Sequence, residues 1–161
     1  GHLAATPSLN DFDKTPRPKE KLTEEHFGGL LTFLQEKSQI DSSYTFFGFR
    51  KDTGQWVATI TIFDILRMTQ QTSWMGYHVL NPYWNQGYAT EAVAAIFPIA
   101  FQQIQVHRVE VLTELDNISS QKVAEKVGMR HEGSSQKRVL QRGEWRDVKI
   151  YAITFEELPN S

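Results

Sequence analysis

The sequence predicts an α/β fold of the α+β kind: a mixed, mostly antiparallel sheet flanked by helices. Three observations lead there. Two aromatic and alternating runs joined by a turn signal read as a hairpin, two strand-to-helix passages follow it, and the chain closes on a second pair of strands. Hairpins combined with strand–helix units need helices packed on a mixed sheet.

Element by element, Thr23-Glu24-Glu25-His26 opens a helical pattern with Phe27, Leu30, Leu31 and Leu34 at three- and four-residue spacing, running to about residue 36. The aromatic stretch 44–50 reads as a strand, Asp52-Thr53-Gly54 as a turn, and 55–65 as a long alternating strand. That strand carries Trp56, Ala58, Ile60 and Ile62 on one face and Val57, Thr59, Thr61 and Phe63 on the other. Residues 67–71 turn the chain into a third strand, 74–80. A helix rich in alanine starts near Ala89, and Pro98 is expected to kink or end it by removing a donor and crowding the carbonyl of Ala94. Residues 106–113 form the next strand. Asn117 caps a helix that stops at Gly128. Two strands, 134–141 and 145–155, meet at Arg142-Gly143. Residues 1–20, with Pro7, Pro16 and Pro18, read as loop.

With 161 residues, 40% of them hydrophobic, the chain is expected to form one soluble domain spanning 1–161. No run approaches the roughly 18 apolar residues of a membrane span. No basic region precedes an apolar one at the start, so a cytoplasmic location without a membrane partner is expected. The chain has no cysteine, which excludes disulfides, thiolate zinc sites and thiol nucleophiles. A net charge of −2 predicts no nucleic-acid partner. Cations outnumber anions between Lys122 and Lys149, which is either a solvated surface or a patch beside an anionic cofactor. His2, His26, His78, His107 and His131 lack ligand spacing, so no metal is expected. Neither a Gly-x-x-x-x-Gly-Lys loop nor a Gly-x-Ser-x-Gly elbow is present.

The stretch Asn81-Pro82-Tyr83-Trp84-Asn85-Gln86-Gly87-Tyr88-Ala89-Thr90-Glu91 joins the third strand to the alanine-rich helix. Gly87 and Ala89 let backbone approach a ligand closely. The first helical turn presents unpaired amides at the positive end of its dipole, a combination suited to a pyrophosphate.

That stretch resembles the acetyl-coenzyme A loop of the GNAT acetyltransferases. Asn117-Ile118-Ser119-Ser120 followed by Glu125-Lys126-Val127-Gly128-Met129 resembles the second cofactor motif of the same superfamily. Both are most like the RimJ/RimL-type branch that acetylates the N-termini of ribosomal proteins, as are His107-Arg108 and Gly143-Glu144-Trp145-Arg146-Asp147. The resemblance covers about residues 40–156. In one respect this chain departs: Trp84 stands where much of the superfamily carries Arg or Gln. The GNAT fold also opens with a strand and a helix, both expected to be missing here, since residues 1–36 supply only a second helix and its approach.

The resemblance implies that acetyl-coenzyme A is the co-substrate, with its pyrophosphate on the backbone amides of Gln86, Gly87, Tyr88, Ala89 and Thr90. The pantetheine arm would pair with the strand end at Val79 and Leu80, where parallel strands splay, and a backbone amide there would stabilise the oxyanion. Asn117 would bond the cofactor or its loop, with helix capping as its other reading. Ser120 would sit at the thioester sulfur as the acid, because Ala124 fills the position where many members place a tyrosine. Glu110 and Glu114, of equal side-chain parity, are the candidate bases, and His78 is a third. The implied reaction is direct acetyl transfer to a primary amine, such as a protein N-terminus. A small-molecule amine acceptor and a non-catalytic acyl-coenzyme A sensor are the alternatives, and a monomer and a dimer fit equally.

Overall fold

In the computed structural model, residues 24–141 and 143–158 are described, with the side chains of 24–27 excepted. The loop predicted over 1–20, the opening Thr23 and the turn residue Arg142 lie outside the described residues.

Helix α1 (Glu24–Gln39) leads into strands β1 (Ser43–Phe49), β2 (Trp56–Leu66) and β3 (Thr72–Val79). A short 3-10 turn, Asn81–Tyr83, precedes helix α2 (Tyr88–Pro98). Strand β4 (Arg108–Glu114), helix α3 (Ile118–Lys126) and strands β5 (Arg130–Gln141) and β6 (Glu144–Thr154) complete the order. One six-stranded sheet runs β1-β2-β3-β4-β6-β5, and every neighbouring pair is antiparallel except β3 with β4.

The alternation read from β2 decides how the layers form. Ala58, Ile60 and Ile62 stand opposite Val79, Tyr77 and Met75 on β3. Val109 and Val111 of β4 stand opposite Ile153 and Tyr151 of β6 on the same face. Val93, Ile96 and Phe97 of α2, then Ala100, Phe101 and Ile104, and Ala124 of α3, cover that face. Ile62 and Val109 are fully buried there; emptying an isoleucine site of this kind to alanine costs about 2–5 kcal/mol.

Pro98 closes α2 for the reason the sequence suggests, and the chain then widens rather than kinks. Residues Ile99–Gln103 form a π-helical turn, closed by the Ile104 amide on the Ile99 carbonyl at 2.9 Å. A wider turn accommodates a ring that cannot donate. Strand β5 begins at Arg130, four residues before the predicted start, because its exposed opening has no apolar alternation to read. Two irregularities, at His131/Gly133 and Ser135/Val139, break its register on β6.

Candidate active site

The parallel contact between β3 and β4 is short. Only Thr72, Ser73 and Trp74 pair with Arg108, Val109 and Glu110. Past that vertex β3 continues with β2 alone and β4 with β6 alone, so the sheet opens into a gap between the two strand ends.

Backbone direction decides which groups line the gap. Leu80 N–H donates to the Val57 carbonyl at 2.9 Å, toward β2. Amide direction alternates along a strand, so Val79 and Tyr77 turn their N–H groups the other way, into the gap. No strand among the described residues pairs with them there. At the strand end the Leu80 amide is thus taken by Val57, and among the described residues nothing pairs with the Val79 amide. The Val79 carbonyl points the same way and accepts a bond from the Trp84 indole N–H at 2.6 Å. A residue notable in the sequence for the cation it replaces thus acts as a donor to the strand end.

Beyond the gap the chain reaches α2 through Gly87, which lies in the left-handed region at φ 87° and makes no side-chain cap. Among the described residues nothing lies within 4 Å of the place a Cβ would occupy at Gly87. Asn85 also has positive φ, at 59°. The first helical bond runs from the Glu91 amide to the Gly87 carbonyl. The amides of Tyr88, Ala89 and Thr90 precede it and have no intrahelical partner. Gln86 instead folds its side-chain amide back onto the Pro82 carbonyl at 3.0 Å.

Helix α3 approaches the gap from the face that carries α2. Asn117 is its cap: the side-chain oxygen accepts from the Ser120 amide at 3.2 Å and from the Ser119 hydroxyl at 2.9 Å. Gln121, buried, donates to the carbonyls of Glu114 and Leu115, and Lys149 donates to the Gln121 side-chain oxygen. Tyr151 reaches Glu125. These ties hold both ends of α3, and with them Ser120, in register with β4 and β6.

Tyr77 and Ser120 meet. The phenol donates to the Ser120 carbonyl at 2.9 Å and lies 2.7 Å from Ser120 Oγ. Burial pushes the Tyr77 hydroxyl up to about 12, offset in part by its bond to Ser120. It therefore stays protonated throughout the neutral range. Sequence reasoning missed this residue; the only signal was its place in the strand that enters the loop.

The candidate bases lie on the opposite face of the sheet. Val109, Val111 and Thr113 turn inward, which leaves Glu110 and Glu114 on the side away from α2 and α3. Glu110 accepts from Arg108 Nε at 2.8 Å. Glu114, at the end of β4, has no side-chain partner among the described residues. His78, opposite Thr59 on β3, shares that side. Its Nε2 is buried without a partner among the described residues, and burial lowers its pKa, which leaves it neutral at pH 7. An open hollow of about 830 Å³, lined by Trp74, Arg108, Glu110 and Arg138 among others, touches the gap only at its vertex.

In the cation-rich segment Arg130, Arg138 and Arg146 hold carboxylate or ring partners, and Arg108, outside it, joins the same network. Arg108 binds Glu110 and Glu132, and Arg130 binds Glu132 and Glu157. Arg138 lies over the Trp74 ring, and Arg146 pairs with Glu144. Among the described residues no group of three or more His, Cys, Asp or Glu is arranged to hold a metal ion, and no helix is long and apolar enough to cross a membrane.

A family model described as an acetyltransferase (GNAT) domain matches residues 2–130. Probable N-acetyltransferase YjcK of Bacillus subtilis (strain 168) is 32% identical over 123 residues, which are 76% of this chain and 68% of YjcK. Uncharacterized N-acetyltransferase YnaD of the same organism is 42% identical over 80 residues, 49% of this chain and 47% of YnaD. The chain therefore spans about two thirds of one curated relative and under half of the other. Among solved structures, Mycobacterium smegmatis RimJ in complex with CoA-disulfide superposes with a TM-score of 0.79 at 28% identity, covering 99% of this chain and 74% of that one. The chain belongs to the acetyltransferase (GNAT) domain family and is an acyltransferase of the N-acetyltransferase class.

Proposed function

We propose that the chain, acting as one domain over 1–161, moves an acetyl group from acetyl-coenzyme A to a primary amine, the α-amine at a protein N-terminus. The observation that carries this reading is the gap between β3 and β4, opening at the end where α2 offers uncapped amides. Gly87, with open space where a Cβ would stand, lets a phosphate reach the backbone. The similar RimJ structure holds a coenzyme A derivative, which agrees with that donor set. For the acceptor, the support is the likeness of the Asn117-to-Met129 and Gly143-to-Asp147 motifs to the branch that modifies ribosomal proteins.

Bound in the gap, acetyl-coenzyme A supplies a thioester carbonyl and a thiolate leaving group. The amides from Gln86 to Thr90 hold its pyrophosphate. The Val79 amide stabilises charge on the carbonyl oxygen, and Asn117 offers its side-chain N–H groups to the cofactor. Ser120 hydrogen-bonds the sulfur as the C–S bond breaks. The amine arrives from the other face, where Glu114 takes its proton as the C–N bond forms, with neutral His78 on the same face as the alternative base. Glu110, held by Arg108, positions water or substrate beside them.

Calorimetric titration with acetyl-coenzyme A comes first, followed by mass spectrometry of three acceptors: a peptide with a free α-amine, the same peptide blocked at its N-terminus but retaining a lysine, and spermidine. Acetylation of the free α-amine alone is the expected result. Transfer to spermidine alone would replace the protein acceptor with a small-molecule one. Binding with no transfer to any amine would favour a sensor, and absence of binding would remove the cofactor reading.

A further inference from the structure

A hydroxyl carries one proton, and Tyr77 is in contact with two oxygens of the same residue. The Ser120 carbonyl can only accept, so the 2.9 Å contact uses the phenolic proton. The 2.7 Å contact between the two hydroxyls must then be a donation from Ser120 Oγ–H to the Tyr77 oxygen. In this arrangement the serine proton points at tyrosine rather than toward the gap, and lone pairs of Oγ face outward. That is the wrong polarity for stabilising a departing thiolate.

We propose that Tyr77 is a positioning residue for Ser120: when charge develops on sulfur, Ser120 turns its proton to the sulfur and Tyr77 turns its own from the carbonyl to Ser120 Oγ. This rests on the reading of Ser120 as the group beside the sulfur. Two hydrogen bonds change direction and no proton changes owner, so both residues stay neutral. The thiolate leaves with the electron pair of the C–S bond and takes its proton from solvent. The bond lost at the Ser120 carbonyl is replaced by one at Oγ, and a serine hydroxyl that is itself receiving a hydrogen bond donates a stronger one.

The surroundings of Tyr77 support this role. The side chain crosses from β3 to α3 beneath the open part of the sheet, on the face carrying Met75 and Val79. Ser120 is held independently of it, through Asn117 at its amide and through Gln121 and Lys149 one residue on. Removing the phenolic oxygen would therefore leave the helix in place and free only the direction of one hydroxyl.

The test uses coenzyme A itself and needs no acceptor. The pKa of the bound thiol is read from thiolate absorbance as a difference against the complex with desulfo-coenzyme A, in wild type, Tyr77→Phe, Ser120→Ala and the double variant. Thermal midpoints are recorded for each. Tyr77→Phe and Ser120→Ala should both raise the bound thiol pKa, each by about half to one unit, the worth of one hydrogen bond. The double variant should match Ser120→Ala alone. Replacement of Tyr77 by 3-fluorotyrosine, a more acidic donor, should lower the thiol pKa, which a purely structural role would not do. If Ser120→Ala raises the pKa and Tyr77→Phe does not, or if their effects add, the positioning role is overturned while the serine assignment stands. If neither variant moves a bound thiol pKa, or coenzyme A does not bind, the Ser120 assignment fails and takes the positioning role with it.

Discussion

Replacing Gly87 by alanine separates the demands of the fold from those of the ligand. Gly87 sits at φ 87° with no atom of the described residues within 4 Å of where a Cβ would stand, so an added methyl meets none of them and costs only backbone strain. A left-handed alanine costs about 1–2 kcal/mol, part of which is offset by the stiffer unfolded chain, leaving about 0.5–1 kcal/mol. For a chain of this length that lowers the melting midpoint by about 1–4 °C. Gly143 is a matched control: it lies at the tip of the β5–β6 hairpin at φ 77°, also with open space around it among the described residues. Both variants should therefore lose similar stability in a thermal melt. Only Gly87→Ala should lose affinity for acetyl-coenzyme A in a calorimetric titration, by at least about tenfold, or 1.4 kcal/mol, because its methyl stands where the phosphate must approach. Equal binding by Gly87→Ala and wild type would refute the cradle, since the methyl could not then be in the ligand's way.

Trp84→Phe keeps a ring and removes the indole donor to the Val79 carbonyl. If the pantetheine arm uses that acceptor, coenzyme A should bind about fivefold more tightly, the worth of one competing hydrogen bond; unchanged or weaker binding would show that the indole does not stand in for the arm. Glu132 is held at about 2 by its bonds to Arg108 and Arg130. Because its pKa is depressed in the folded chain, it stabilises the fold above about pH 4.5, and that contribution disappears as pH falls toward 2. Its side chain is 29% exposed, so solvent screening limits the contribution to about 1–2 kcal/mol. Denaturant midpoints should show Glu132→Gln less stable than wild type by that amount at pH 6, with the two converging near pH 2; a constant difference across that range would assign the loss to packing instead.

The strand and helix order was readable because local physics and tertiary demand agree along most of this chain. Alternation in β2 reflects two real faces, and Gly54, Gly87 and Gly128 mark turns that need positive φ. The opening of β5 was not readable, since Arg130, His131 and Glu132 are exposed on an edge strand and carry no apolar rhythm. At the site, the loop glycine and the Asn117 cap follow from local rules. The contact of Tyr77 with Ser120 joins residues 43 apart, and nothing in a strand pattern separates a tyrosine that packs from one that also donates. Likewise, a residue list cannot say which of two neighbouring amides is free. That follows from the Leu80 bond to Val57, and hence from the registry of β2 on β3.

The short contact at the vertex also bears on how the molecule comes apart. Strands β1, β2 and β3 are joined in sequence by short turns, and β5 and β6 form a hairpin against β4, so each half of the sheet closes mostly on near neighbours. The halves share three residue pairs of parallel ladder, together with the helices that bridge them. This makes the gap a seam between two cooperative units. A molecule bridging both strand ends would supply the cross-links that the chain leaves out, so that cofactor occupancy would govern whether the two units melt separately or as one.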